Sequence, residues 1–263
     1  MKFQGVIRKM HTEFQSPVKY FMEFDNDFIC VNDLIGKEMS VEFIKYQCLC
    51  CSDEKEIFRQ GFCKSCFFDQ AQAGNWLIRP ELSTAHLNIE DRDLDYEKKI
   101  QLQPHIVYLA NTGQIKVGVT RKTQVPYRWI DQGAHQAVEI VEVPNRYLAG
   151  ITELALKDFI SDKTNWRKML ISSENDLNIL SVKDDLKMHI PSETLDYYIN
   201  NRDKTDIYFP VIEYPIKPAT QKLTKNNLIK GVLKGIKGQY LIFNDNKVFN
   251  VRSHEGFVVK IKF

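Results

Sequence analysis

Cysteine carries the sharpest chemical signal in this 263-residue sequence. Cys48 and Cys51 are separated by two residues, as are Cys63 and Cys66, and eleven residues lie between the pairs. Each CxxC turn brings two thiolates to one side of a tight knuckle, and two knuckles complete a tetrahedral set of four sulfurs. Soft thiolates in that array favour zinc, with an iron centre as the other candidate. Four sulfur ligands leave no open position, so such a metal would hold a fold rather than do chemistry. Cys50 is then spare, although it could stand in for a neighbour, and Cys30 reads as a core residue on a strand.

A second group of reactive side chains follows: Tyr108, Lys116, Arg128, Glu153 and Asn165. The elements that must position them are legible in the pattern. Ile106–Ala110 and Ile115–Val119 read as two strands around Asn111-Thr112-Gly113. A three-residue hairpin loop wants its last residue in the left-handed region, which suits Gly113. That register pairs Tyr108 with Lys116 and points both to one face. A two-residue Thr112-Gly113 turn would pair Tyr108 with Val117 and send Lys116 to the other face. Pro126 and Gly133 bracket a short helix carrying Arg128, Trp129, Ile130 and Asp131. Ala137–Val143 alternates as a third strand. A second helix is expected from about Tyr147 to Ile160, with Leu148, Ile151, Ala155 and Phe159 as its apolar face and Glu153 upon it.

Singly, these residues have ordinary readings. Tyr108 alone is a half-buried strand residue, Arg128 and Asp131 form a surface ion pair, and Glu153 is an exposed helix carboxylate. Trp129 and Trp166 read as core. His105, His135, His189 and His254 show no ligand spacing with one another. It is the ordered combination that stands out.

That order, β-β-α-β-α with a tyrosine closing the first apolar triplet and a glycine closing the second, resembles the GIY-YIG endonuclease fold over about 70 residues. The two triplets read Ile106-Val107-Tyr108 and Lys116-Val117-Gly118. The resemblance implies a catalytic set of Tyr108, Lys116, Arg128, Glu153 and Asn165, with Glu153 also the ligand of Mg²⁺ or Mn²⁺. Arg128 would then clamp phosphate oxygens, and Lys116 would supply the cation that favours the Tyr108 phenolate. The family's second triplet begins with tyrosine, and this chain has Lys116 there. The whole chain also resembles an uncharacterised zinc-bearing family, domain of unknown function 2797. It shares the cysteine quartet, the run Arg128-Trp129-Ile130-Asp131-Gln132-Gly133-Ala134 and the later Thr164-Asn165-Trp166-Arg167. That resemblance implies a second metal cluster near Arg79-Pro80-Glu81, where this sequence offers His86 and no cysteine after Cys66.

The rest of the chain frames the centre. Residues 1–46 and 210–263 are both rich in β-branched and aromatic runs bounded by Asn and Asp turns such as Asp25-Asn26-Asp27, and are expected to pair as one discontinuous barrel or sandwich. Residues 47–72 form the zinc ribbon, with a short helix from Phe67 to Ala73, and 73–104 read as a charged surface connector. The GIY-YIG-like unit spans 105–172. Residues 173–209 hold two helices, from about Glu174 to Met188 and from Pro191 to Asn201. The fold class is α+β. Net charge is only +2, but ten Lys or Arg against two acids after Pro215 make a basic module on an acidic body, which suits DNA or RNA. No apolar run could span a membrane, and the first residues do not resemble a secretory leader, so a reducing cytoplasm is expected. The function expected is nucleic-acid binding with a metal-dependent endonuclease centre. The alternatives are a non-catalytic DNA- or RNA-binding protein and a protein-interaction scaffold.

Overall fold

A computed structural model describes residues 1–24, 27–171 and 177–263. The chain begins with strands β1 (Lys2–Val6), β2 (His11–Glu13), β3 (Lys19–Phe24), β4 (Asp27–Cys30) and β5 (Glu38–Tyr46). The cysteine region holds β6 (Ile57–Arg59), β7 (Phe62–Cys63) and helix α1 (Lys64–Asp69), and α2 (Leu94–Gln101) follows a run of 3₁₀ turns. The centre contains β8 (His105–Asn111), β9 (Ile115–Arg121), α3 (Tyr127–Asp131), β10 (Gln136–Val143), α4 (Arg146–Leu156) and α5 (Trp166–Ile171). Then come α6 (Ile179–Leu186), α7 (Ser192–Leu195), β11 (Thr205–Asp206), β12 (Ala219–Gln221), β13 (Leu228–Lys237), β14 (Tyr240–Phe243), β15 (Lys247–Asn250) and β16 (Phe257–Lys262). The protein is a strand-rich α+β molecule with several sheets. Of the helix expected from Glu174, residues 174–176 lie outside the described residues, as do Asp25 and Asn26 of the expected turn. Among the described residues no helix is long and apolar enough to cross a membrane.

Both ends of the chain enter one seven-stranded sheet, in the order β1-β16-β5-β13-β14-β15-β12. Alternation along each strand fixes which face is buried: Met39 and Val41 of β5 and Val259 and Ile261 of β16 point inward, while Glu42, Lys260 and Lys262 point out. The inner face meets the three-stranded sheet β2-β3-β4 through Met10, Val18, Tyr20, Met22 and Ile29. The same core continues into the centre through Ile106, Tyr108, Ala110, Trp129 and Ile130.

The central sheet runs β11-β10-β8-β9, so β9 is an edge. Its hairpin register differs from the expected one. Asn111 pairs with Ile115, Ala110 with Lys116 and Tyr108 with Gly118. The loop is Thr112-Gly113-Gln114, with Gly113 at its centre (φ +87°) rather than at its end. Gly113 is required there for a second reason, because a Cβ would stand 2.9 Å from the Lys168 carbonyl oxygen. The slip is two residues, an even number, so Lys116 keeps the same face as Tyr108.

Residues 73–104 are not a surface arm. Their 3₁₀ turns pack on α4, where a Cβ at Gly150 would lie 2.2 Å from the Glu81 backbone nitrogen and 2.4 Å from the Pro80 carbonyl carbon. The buried Arg146 donates to the carbonyl oxygens of Trp76 (3.1 Å) and Leu77 (2.9 Å). The connector therefore covers one side of α4, and it does so on the face that carries Glu153.

Candidate functional site

In the cysteine cluster the sulfurs of Cys48, Cys51, Cys63 and Cys66 all lie within 4.8 Å of one another. Zinc–sulfur bonds of about 2.3 Å place tetrahedral sulfurs about 3.8 Å apart, so the set needs only a small contraction to hold zinc. Cys51 and Cys63 are already at 4.0 Å. The knuckles present backbone donors to the sulfurs: Cys63 N–H to Cys48 Sγ at 3.3 Å and Cys50 N–H to the same atom at 3.5 Å. The Ser65 hydroxyl, 3.3 Å from Cys63 Sγ, helps draw that thiol down to about 6. Donors aimed at sulfur favour thiolate, the form a metal takes. Cys50 contributes its backbone there and leaves its side chain exposed. Cys30 stands apart on β4, part-buried.

The second cluster is built by β8, β9, α3 and α4. Tyr108 is 0% exposed. Its ring lies across Gly118, where a Cβ would come within 2.7 Å of the phenol oxygen, so glycine opposite the tyrosine is a packing requirement. The hydroxyl donates to Gln132 Oε1 at 3.0 Å, and the Trp129 ring packs edge-on at 5.9 Å. Burial pushes the phenol above its ordinary value, while the Arg128 guanidinium pulls the other way. Lys116 is buried beside it and held down to about 8, by loss of solvent first and by Arg128 second, with Glu153 and Asp162 opposing. Glu153, 7% exposed, is raised by burial against the pull of Lys157. The Lys157 ammonium stands 3.4 Å from Glu153 Oε2 and 3.3 Å from Asp162 Oδ2. Tyr108, Lys116, Arg128 and Glu153 thus converge, each within electrostatic reach of others in the set.

Asn165 does not join them. It is exposed and its Oδ1 accepts from the Arg167 and Lys168 N–H groups at 3.1 and 3.2 Å, capping α5. Nothing among the described residues ties its side chain to the Tyr108 cluster. Four residues that pattern reading passed over do belong to it: Gln132, Arg146, Lys157 and Asp162. Arg146, Gly150, Glu153 and Lys157 recur at i, i+4, i+7 and i+11, one face of α4. A glycine inside a helix, three residues before a carboxylate, was the available signal of a close approach there. The pair expected between Arg128 and Asp131 is absent from the described ion pairs. Asp131 instead meets Lys9 Nζ at 2.5 Å and Gln239 Nε2 at 3.0 Å. The run Arg128–Ala134 therefore faces two ways, toward Tyr108 through Gln132 and toward the terminal sheet through Asp131.

A model of the family described as a protein of unknown function (DUF2797) matches residues 36–259. The chain belongs to that family. Comparison with curated proteins and with solved structures gives no match. The DUF2797 match takes in both the cysteine quartet and the Tyr108 cluster, together with the connector that packs on α4.

Lys116 allows a direct test of how the cluster is held. An unfolded lysine keeps its proton to about pH 10.4, whereas the buried Lys116 gives it up near 8. Between those values the unfolded chain binds more protons, so stability rises with pH across that window, and below about pH 8 the full penalty of the buried charge is present. Lys116→Met is expected to raise the melting temperature at pH 7, and its advantage should shrink from pH 8 to 10. A variant that melts lower than the native protein at pH 7 would show instead that Glu153 and Asp162 repay the burial.

Proposed function

We propose that the chain is a nucleic-acid-binding protein whose centre is GIY-YIG-like and hydrolyses phosphodiester bonds with a divalent ion. The observation that carries this reading is the convergence of Tyr108, Lys116, Arg128 and Glu153 from four separate elements. The order β8, β9, α3, β10, α4 supports it, as does the even-numbered register slip that keeps Lys116 beside Tyr108. Arg128, part-exposed at the rim, is placed to clamp phosphate oxygens. Lys116 adds positive charge where a tyrosine stands in the GIY-YIG pattern. Tyr108 stays protonated at neutral pH and acts as a fixed hydroxyl, not a free base.

Glu153 is the carboxylate that would hold Mg²⁺ or Mn²⁺, with Asp162 beside it. The Lys157 ammonium already sits between those two acids, so the pair accommodates a cation. A bound divalent ion would polarise the scissile phosphate and neutralise developing charge. The cysteine quartet is the structural zinc site.

One observation favours a second reading, grip without cutting. Four cations (Lys116, Arg128, Arg146, Lys157) face two acids, and the phenol is wholly buried. Labelled branched, single-stranded and duplex DNA and RNA, incubated with Mg²⁺, Mn²⁺ or chelator, separate the two. Hydrolysis predicts metal-dependent cutting that falls about 10²–10³-fold in Arg128→Ala and disappears in Glu153→Gln while binding persists. Grip predicts salt-sensitive binding and no cutting. A protein that binds none of these substrates sinks both.

A further inference from the structure

The sequence places its positive charge after Pro215, and folding returns counter-charges to part of that segment. Lys230, Lys234, Lys247 and Lys262 pair with Glu38, Glu213, Asp245 and Glu42, and Lys237 is buried against His135. Lys217, Lys222 and Lys225 of that segment stay exposed and outside the ion pairs of the described residues, and a second stretch shares this property. From Asp162 to Lys168 there are three cations, Lys163, Arg167 and Lys168, all exposed, and among the described residues none is paired with a carboxylate. The one acid of the stretch, Asp162, is occupied by Lys157.

This corner is anchored, and it begins at the candidate site. Ser161 O accepts from Val117 N–H at 2.9 Å, which lays the segment along the free edge of β9 beside Lys116. Lys163 O accepts from Gln114 Nε2 at 3.2 Å. Gly113 lets the Lys168 backbone approach the hairpin loop, and Asn165 caps α5. Trp166 lies parallel to Tyr240 of β14, with centroids 6.0 Å apart and planes 10° apart. On the Trp166 ring rests Arg167, its guanidinium carbon 4.4 Å from the centroid. A guanidinium resting on an aromatic ring is partly ordered beforehand and loses less entropy when it grips a bidentate anion.

We propose that this corner, Lys163, Arg167 and Lys168 with Arg167 resting on Trp166, receives the phosphates of the nucleic-acid strand next to the segment held at the Tyr108–Glu153 cluster. The proposal rests on the nucleic-acid reading above and names a surface that the cluster itself does not include. Phosphate is the occupant because three exposed cations within six residues, continuous with a site already rich in Arg and Lys, match a repeating anion. A protein partner is the competing occupant.

The test uses the full chain and fluorescence anisotropy on labelled single-stranded and duplex DNA and RNA across a salt series. Lys163→Ala/Arg167→Ala/Lys168→Ala is expected to weaken binding at least tenfold and to flatten log K against log salt by about 0.7–0.9 for each lost contact. Arg167→Lys keeps the charge but loses the fork, and should lower affinity while leaving the salt slope nearly intact. Unchanged affinity and slope in the triple variant, with a native protein that binds, overturn the corner and leave the central reading standing. If the native protein binds no nucleic acid, both fall.

Discussion

Replacing Cys63 by serine is expected to release one zinc per chain and to unfold the segment from Gln47 to Asp69. Cys63 combines three duties. Its sulfur faces those of Cys48, Cys51 and Cys66, its backbone pairs with Ile57 across β6 and β7, and its N–H donates to Cys48 Sγ. The apolar support is slight, being Phe62 with Leu49, Ile57 and Phe67. Without metal, a segment so small cannot offset its own ordering entropy. Structural zinc supplies about 10–16 kcal/mol in isolated finger peptides, comparable with the whole stability of a domain. The damage should spread, because Gln47 N–H donates to Gly256 O and a Cβ at Gly256 would meet Ile57. The β5–β16 end of the large sheet is therefore seated on the ribbon. Zinc content by mass spectrometry and the melting temperature report the two effects. Cys50→Ser is the control and should retain full metal, since the four sulfurs that face one another are those of Cys48, Cys51, Cys63 and Cys66. Metal-free native protein, or a Cys63→Ser variant that keeps its zinc, would remove the structural-zinc reading.

The second large effect is at Gly150. Judged from helix propensity alone, alanine within α4 should stabilise the protein by about 0.5–1 kcal/mol. The structure reverses the sign. The new methyl group would meet Glu81 N at 2.2 Å and Pro80 C at 2.4 Å, and both are backbone atoms that cannot rotate away. Overpacking of this kind costs about 1–3 kcal/mol, and more where backbone must move. Gly150→Ala should therefore lower the melting temperature by roughly 2–4 °C per kcal/mol lost. It should also displace the connector from α4 and expose Arg146 and Glu153. Faster hydrogen exchange across residues 76–83, with α3 unchanged, is the expected pattern. A stabilised variant would mean that the connector does not sit on the helix.

The contrast at Gly150 shows where the sequence was readable. Strand positions followed from alternation and β-branched content, and the pairing of the two ends followed because neither set could bury a face alone. The cysteine quartet is legible because metal geometry is encoded in spacing within one short segment. The α4 face departs from its apolar pattern for a physical reason. Leu148, Ile151, Ala155 and Phe159 recur at helical spacing, yet Phe159 is 57% exposed and beyond the helix end, whereas Arg146, Gly150 and Glu153 are buried. Polar residues can occupy a buried face when a distant segment supplies partners, and residues 73–104 gave no periodic warning that they would do so. Their charged run is only partly solvent-facing: Glu97 accepts from the Asp91, Arg92 and Asp93 N–H groups and ties the start of α2 together. Tyr108, Lys116, Arg128 and Glu153 could be named from their order. Gln132 and Asp162 could not, because their roles depend on which loop returns to which edge.

The place of β5 in the large sheet also sets a timetable for biogenesis. Val41 lies between Ile229 and Ile261, 188 and 220 residues further along the chain. At synthesis rates of about 5–20 residues per second, β5 waits roughly 10–45 s for its second neighbour. Until β13 emerges Met39, Val41 and Phe43 have no sheet to enter and both edges of the strand are open to pairing with another chain, and from then until β16 emerges one edge stays open. The cysteine knuckles and the β8–β9 hairpin are built from local contacts and can order while β5 waits. Until β13 emerges, β5 has a long wait for a partner, and its open edges invite pairing with another chain.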